Sequence, residues 1–237
     1  MKITASSLIR WAGLAAVVAG ICFVVLGPLH PPNVLSSVST TRWTIVHSLA
    51  IAMSLFGLLG MMGLYARQVK EAGWLGLAGF LLLSFWLMLV LPFTFFEVFF
   101  LPVLATEAPT FAEGFLGILT GAASEINFGV LPALWQLSNV LILLGGLVFG
   151  IATFRAGILS RWAAGVLAVG CLLSPAAALL PPAIQPLVTV PIGLGLAWLG
   201  YALWFERSEP REQAANPDGD GLLTGVEQPA ADVPSKV

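Results

Sequence analysis

Hydrophobic residues fill the chain in six long stretches, and short polar segments separate them. Each stretch is close to the roughly 20 residues that a helix needs to cross about 30 Å of hydrocarbon. The stretches run from Leu8 to Gly27, Trp43 to Ala66, Trp74 to Leu101, Val130 to Phe154, Trp162 to Leu180 and Ile184 to Phe205. The pattern predicts an all-α membrane protein, with a six-helix transmembrane domain over residues 1–205.

Composition agrees with this class of protein. Hydrophobic residues make up 58% of the chain and charged residues only 9%, and the mean hydropathy is +0.96. An ordinary soluble domain has a larger share of charged residues. The first stretch could be a signal peptide, but it is longer than a typical signal core and lacks an Ala-x-Ala cleavage pattern. We therefore interpret it as an uncleaved helix.

The basic residues predict the orientation in the membrane. Nearly all lie on the side of the two termini: Lys2, Arg10, Arg67, Lys70, Arg155, Arg161, Arg207, Arg211 and Lys236. Arg42 alone lies on the other side. Because short cytoplasmic loops are enriched in Lys and Arg, both termini are predicted to be cytoplasmic. A formal charge of −2 leaves no basic patch for a nucleic acid, so we expect no nucleic-acid partner.

Loop lengths and small residues predict how the helices pack. The connections between spans 2 and 3 and between spans 4 and 5 are short, so these pairs should be antiparallel neighbours. Glycine and alanine recur three or four residues apart, a spacing typical of helix contacts in lipid. These runs are Ala16 to Gly20, Gly57 to Gly63, Gly73 to Gly79 and Gly146 to Gly150.

Two segments outside the spans have their own patterns. Thr110 and Glu113 fit a capping box, and apolar residues follow on one face, which predicts a short amphipathic helix in the long outer loop. Residues 206–237 are rich in Pro, Gly, Ala and acidic side chains, which predicts a disordered cytoplasmic tail. Within that tail, residues 216–227 have the oxygen-ligand spacing of a calcium loop, although Asn216 stands where Asp is usual.

The segment from Phe154 to Trp162, Phe-Arg-Ala-Gly-Ile-Leu-Ser-Arg-Trp, lies between two glycine-rich spans. It resembles the inner-loop signature of uncharacterised bacterial polytopic membrane proteins that are grouped as a domain of unknown function. The segment from Arg42 to Gly114 is similar to the same group. The resemblance implies a location in the bacterial cytoplasmic (inner) membrane and implies no activity.

A few polar side chains lie inside or beside the spans, all near the outer side. They are His47 on span 2, Glu97 on span 3, and Gln136 and Asn139 on span 4, with Arg42 beside them as the outer basic residue. Polar groups at membrane depth are costly unless paired or wetted, so they are candidate ligand-binding residues. Each also has a simpler interpretation. Glu97 could reach outer water, His47 could bond a backbone carbonyl, and the two amides could link helices. Pro92 predicts a kink in span 3 that would change the direction in which the Glu97 side chain points.

Three functions remain open. The first is binding or transport of a small molecule, ion or lipid-like ligand in an outer-half pocket between spans 2, 3 and 4, where transport would call for a homo-oligomer. The second is a structural or regulatory membrane protein that acts through a partner. The third is a redox protein with His30 and His47 as haem ligands. Apart from the calcium-like spacing at 216–227, no catalytic motif, metal-ligand spacing or cofactor fingerprint is present, so we predict neither an enzyme nor a bound cofactor.

Overall fold

The computed structural model describes residues 4–174, 180 and 184–206, and all regular structure in that part of the chain is helical. A 3₁₀ turn at Gln185–Val188 precedes the last helix. The α-helices are α1 (Ala5–Leu29), α2 (Leu35–Val38), α3 (Thr41–Phe99), α4 (Leu101–Glu107), α5 (Pro109–Thr120), α6 (Leu131–Ala156), α7 (Arg161–Leu173) and α8 (Thr189–Phe205). The predicted all-α class is confirmed for these residues.

Three of these helices, α1, α3 and α6, are long and apolar enough to cross a membrane. α7 and α8 are apolar but shorter, at 13 and 17 residues. α7 ends at Leu173 with Ser174 as its C-cap, and most of the predicted span beyond Ser174 lies outside the described residues. α8 begins at Thr189 rather than at the predicted Ile184, because the chain first makes the 3₁₀ turn.

α3 consists of two antiparallel limbs, residues 41–67 and 74–99. The backbone leaves helical geometry at Gln68 and at Gly73, where φ is 53° and ψ is −149°. A side chain would be strained at this positive φ, so glycine suits the reversal. Gly57 on the first limb faces Leu87 on the second limb. The prediction that spans 2 and 3 form an antiparallel pair is therefore confirmed.

The helical limbs close into a ring that follows chain order. Close contacts at small residues join each limb to the next, and α8 packs back onto α1. The contact pairs along the ring are Gly60 with Ala16, Gly57 with Leu87, Gly79 with Phe149, Gly146 with Cys171, Gly195 with Leu167 and Gly193 with Gly20. The small-residue runs thus lie at helix contacts, as the sequence predicts, except for Gly73, which lies at the reversal of α3 where a Cβ would meet nothing within 4 Å.

The ring has two ends, which we name by residues that lie there. At the Arg67 end, the Arg67 guanidinium donates to both carboxylate oxygens of Glu206. The hydrogen bond from Nε is 2.6 Å long. Arg10 Nε donates to the Trp204 carbonyl over 3.2 Å at the same end. The His30 end holds the end of α1 and both ends of α3. The predicted tail beyond Glu206, with its calcium-like spacing at 216–227, lies outside the described residues.

α4 and α5 fold against the His30 end. The predicted helix in this connection is present, but the predicted capping box is wrong. α5 begins at Pro109 with Ala108 as N-cap, and no side chain caps it. Proline favours the first helical position because it has no N–H to satisfy, so the helix begins one residue before Thr110. Phe115 packs on Phe93 and Phe96, with ring centroids 6.2 and 4.6 Å apart.

Candidate functional site

The two ends of α3 meet at the His30 end and are joined through Trp43. Trp43 is 0% exposed, and its Nε1 donates a hydrogen bond to the backbone carbonyl of Glu97 over 2.8 Å. Glu97 lies in the last turn of α3, where carbonyls lack a partner within the helix. The indole therefore satisfies a buried carbonyl and fixes the first limb against the second at this depth.

His47 lies one turn after Trp43 and is 2% exposed. Its Nδ1 is 2.9 Å from the Trp43 carbonyl. Since a carbonyl only accepts, Nδ1 carries the hydrogen of this bond. The imidazole also stacks on the Trp43 ring, with centroids 4.1 Å apart and planes 29° from parallel. The hydrogen bond and the stacking together fix both the tautomer and the direction of the other ring nitrogen.

Glu97 faces the inside of the bundle. Its side chain is buried, with 6% of the residue exposed, and its Oε1 is 3.5 Å from His47 Nε2. This is ion-pair range, but the two atoms do not form a hydrogen bond, and His47 Nε2 has no hydrogen-bond partner in the part of the chain that the structure describes. Helical spacing explains the orientation: Val90, Phe93 and Glu97 share one inward face, while Phe95 lies on the exposed face. The backbone keeps helical dihedrals at Pro92, so α3 continues through it to Glu97.

His30 lies just after α1 and contacts His47 edge to face, with ring centroids 5.1 Å apart and planes at 67°. Its Nδ1 is 2.7 Å from the Pro31 carbonyl. Burial, and next the neighbouring His47, hold the pKa of His30 below its ordinary value of 6.5. Two imidazoles in direct contact leave no room for a haem ring between them, so this arrangement does not suit the hypothesis of a haem held by His30 and His47.

The other predicted residues are divided between different places. Arg42 Nε donates to the Leu29 carbonyl over 2.7 Å and thus caps the end of α1. Asn139 lines the same cavity as His47 and Glu97. Gln136, one turn earlier on α6, faces a separate groove of about 310 Å³ beside the end of α5. The structure therefore brings together three of the five predicted residues and leaves Arg42 and Gln136 elsewhere.

The cavity at the His30 end has a volume of about 410 Å³. Every limb of the ring contributes to its lining, and so does Leu119 of α5. Its apolar lining includes Phe23, Leu26, Met53, Trp86, Val90 and Ile142, and its polar lining includes His30, His47, Thr94, Glu97, Ser138 and Asn139. Among the described residues that line it, Glu97 has the only carboxylate, and none is Lys or Arg. Pockets of this size, apolar with a few convergent polar groups, are typical of small-molecule sites.

Several lining residues were not predicted from the sequence. Thr94 and Ser138 resemble ordinary helix residues, although Ser138 adjoins Asn139 and Thr94 lies one turn from Glu97. A check of positions three and four residues from each polar candidate would have found Thr94. The same check reaches Trp43, four residues before His47, although a tryptophan at a span end is normally an interfacial anchor.

No protein-family model, curated protein or solved structure matches this chain. The resemblance to bacterial polytopic membrane proteins gains no support from these comparisons. The function is therefore argued from the geometry of the cavity.

Proposed function

We propose that this chain is a six-span protein of the bacterial inner membrane, and that it binds a small molecule with an apolar body and one polar end. The ligand would lie in the cavity at the His30 end. The observation that carries this proposal is the cavity itself, about 410 Å³ in volume, where apolar walls surround a buried carboxylate and a buried imidazole.

The membrane location is supported by the ring of limbs and by its surface. The limbs form a closed bundle, and large apolar residues such as Trp74 and Trp162 are exposed on it. These two tryptophans begin limbs at the Arg67 end, where tryptophan is expected in an interfacial belt. Lys70 and Arg155 also lie at that end, and Arg42 lies at the other. The Arg67 end is therefore cytoplasmic in this proposal, and the cavity is on the outer side.

The cavity also supports binding over a purely structural role for its polar groups. If Glu97 only linked helices, its side chain would be expected to hold a neighbour by hydrogen bonds. Here the link to Trp43 uses the Glu97 backbone carbonyl, while the carboxylate faces the unpartnered Nε2 of His47. Thus the side chain is presented to the cavity. Transport of the ligand would add alternating access, which a homo-oligomer of this chain would support.

A cavity-filling variant tests the proposal. Purified protein in mild detergent would be screened by thermal unfolding against compounds that have an apolar body and one amine, hydroxyl or carboxyl group. A ligand at 100 times its Kd stabilises a protein by about 2.7 kcal/mol. Ala50→Phe places a ring in the cavity, since Ala50 lines it. Leu55→Phe adds the same ring at an exposed position and leaves the cavity open.

We expect at least one compound to raise the unfolding midpoint of the wild type and of Leu55→Phe, with no effect on Ala50→Phe. The proposal fails if no compound stabilises the wild type, or if Ala50→Phe responds like the wild type.

A further inference from the structure

The facing atoms of His47 and Glu97 are both hydrogen-bond acceptors, unless one of the two side chains carries an extra proton. His47 uses its Nδ1 hydrogen on the Trp43 carbonyl, so a neutral His47 presents only a lone pair at Nε2. An ionised Glu97 also presents only lone pairs. The two atoms, Nε2 and Oε1, are 3.5 Å apart, and two acceptors at this distance repel each other unless a donor comes between or beside them.

Among the described residues, the neighbouring charged and titratable groups do not provide that donor. The Arg42 guanidinium donates to the carbonyls of Leu29 and Pro28. His30 has its Nδ1 on the Pro31 carbonyl, and its pKa is lowered by burial and by His47, so it adds no fixed positive charge. Ser138 and Asn139 of α6 also line the cavity, but they are neutral and add no charge, and His47 Nε2 has no hydrogen-bond partner within the described ranges of the chain. The pair must therefore hold a proton or meet a donor that enters the cavity.

An ammonium group is the ligand end that best replaces this proton. It has three N–H donors and one positive charge, so it can donate to Glu97 Oε1 and to His47 Nε2 while it neutralises the buried carboxylate. A hydroxyl donates one hydrogen and leaves the charge unbalanced. A carboxylate would add a second negative charge beside Glu97, with no Lys or Arg in the described lining to offset it.

We propose that the cavity binds small primary or secondary ammonium ions with an apolar body, and that each ion takes the place of a proton held by the pair of His47 and Glu97. The apolar body would lie against Phe23 and Trp86, whose rings are stacked with centroids 5.7 Å apart. Charge balances in the exchange: one ammonium cation enters and one proton leaves to water, with no covalent bond to carbon formed or broken. This inference rests on the proposed binding function.

Three probes of similar size and shape test the charge preference: 2-phenylethylamine, 2-phenylethanol and phenylacetate. Titration calorimetry on the whole chain in detergent, in two buffers of different ionisation enthalpy, reports both affinity and proton release. We expect the amine to bind about tenfold or more tighter than the alcohol, because hydrogen bonds to charged groups are the stronger ones. We expect phenylacetate not to bind, and amine binding to release up to one proton.

The affinity for the amine should also fall as the pH is lowered, since protons compete for the same pair. Glu97→Gln should remove the preference for amine over alcohol. Glu113→Gln makes the same chemical change at an exposed carboxylate on α5 and should leave the preference unchanged. If Glu97→Gln does not fold, proton release by the wild type still decides the question.

Two results would overturn the inference while the proposed binding function stands: equal affinity for amine and alcohol, or amine binding without proton release. Retention of the amine preference in folded Glu97→Gln would do the same. If none of the three probes binds and the only hits of the screen are compounds without an amine, the ammonium class is wrong. If no compound of the screen binds, the proposed function itself fails.

Discussion

The contact between α3 and α6 is tested most directly by Gly79→Ala. A Cβ built at Gly79 lies 2.4 Å from the backbone nitrogen of Phe149 and 2.5 Å from its Cα. Backbone atoms cannot rotate away as a side chain can, so α6 must withdraw by about 1 Å to reach ordinary van der Waals contact. Because α6 also carries Ser138 and Asn139, this shift would disturb the wall of the cavity.

The expected magnitude follows from two opposing effects. Overpacking a close contact costs about 1–3 kcal/mol, whereas replacing a mid-helix glycine by alanine gains about 0.5–1 kcal/mol. The net expectation for Gly79→Ala is a loss of about 1–2 kcal/mol. Gly165 on α7 is the matched control, because a Cβ there meets nothing within 4 Å. Gly165→Ala should gain about 0.5–1 kcal/mol.

Thermal unfolding in detergent, followed by circular dichroism, measures the difference. At about 2–4 °C per kcal/mol for a domain of this size, the midpoints of the two variants should differ by about 3–12 °C. Gly79→Ala should be the lower. Equal midpoints, or a more stable Gly79→Ala, would refute the backbone contact of α3 with α6 and the closed ring that depends on it.

Two further predictions concern the site. Trp43→Phe keeps the buried ring but leaves the Glu97 carbonyl without its donor, so the free energy of unfolding should fall by about 1–3 kcal/mol; an unchanged stability would contradict the hydrogen bond. His30 has a lowered pKa in the folded protein, so below its ordinary value of 6.5 the unfolded chain binds the proton that the folded chain does not. The contribution of His30 to the free energy of unfolding is therefore complete above pH 6.5 and decreases as the pH drops toward 5. His30→Gln should flatten thermal midpoints measured between pH 7 and pH 5, and an unchanged slope would show that His30 is not the group responsible.

The hydrophobic pattern was enough to predict the helical class, the antiparallel pairs and the small-residue contacts. These properties are local or nearly local: an apolar stretch of known length forms a helix, a short loop makes neighbours antiparallel, and small residues allow close approach. The pattern also placed His47, Glu97 and Asn139 at one depth, because depth follows from the position along a helix.

Rotation about the helix axis could not be predicted in the same way. Successive residues turn by about 100°, so Gln136 and Asn139 lie about 60° apart around α6. The cavity edge falls between them, and the packing of α6 on α3 sets where that edge lies. Glu97 likewise faces inward on the face that it shares with Val90 and Phe93, and the Trp43 indole binds its backbone carbonyl there.

The hydrogen-bond partners of Arg42 and the role of the His47 tautomer also could not be predicted without the tertiary structure. Arg42 is bound to carbonyls at the end of α1, which precedes it by 13 residues. The His47 tautomer depends on the carbonyl one turn earlier, but its significance depends on Glu97, which is 50 residues away along the chain. Residue types and spacing along one helix determine which groups share a depth, whereas contacts between distant segments decide which of them meet.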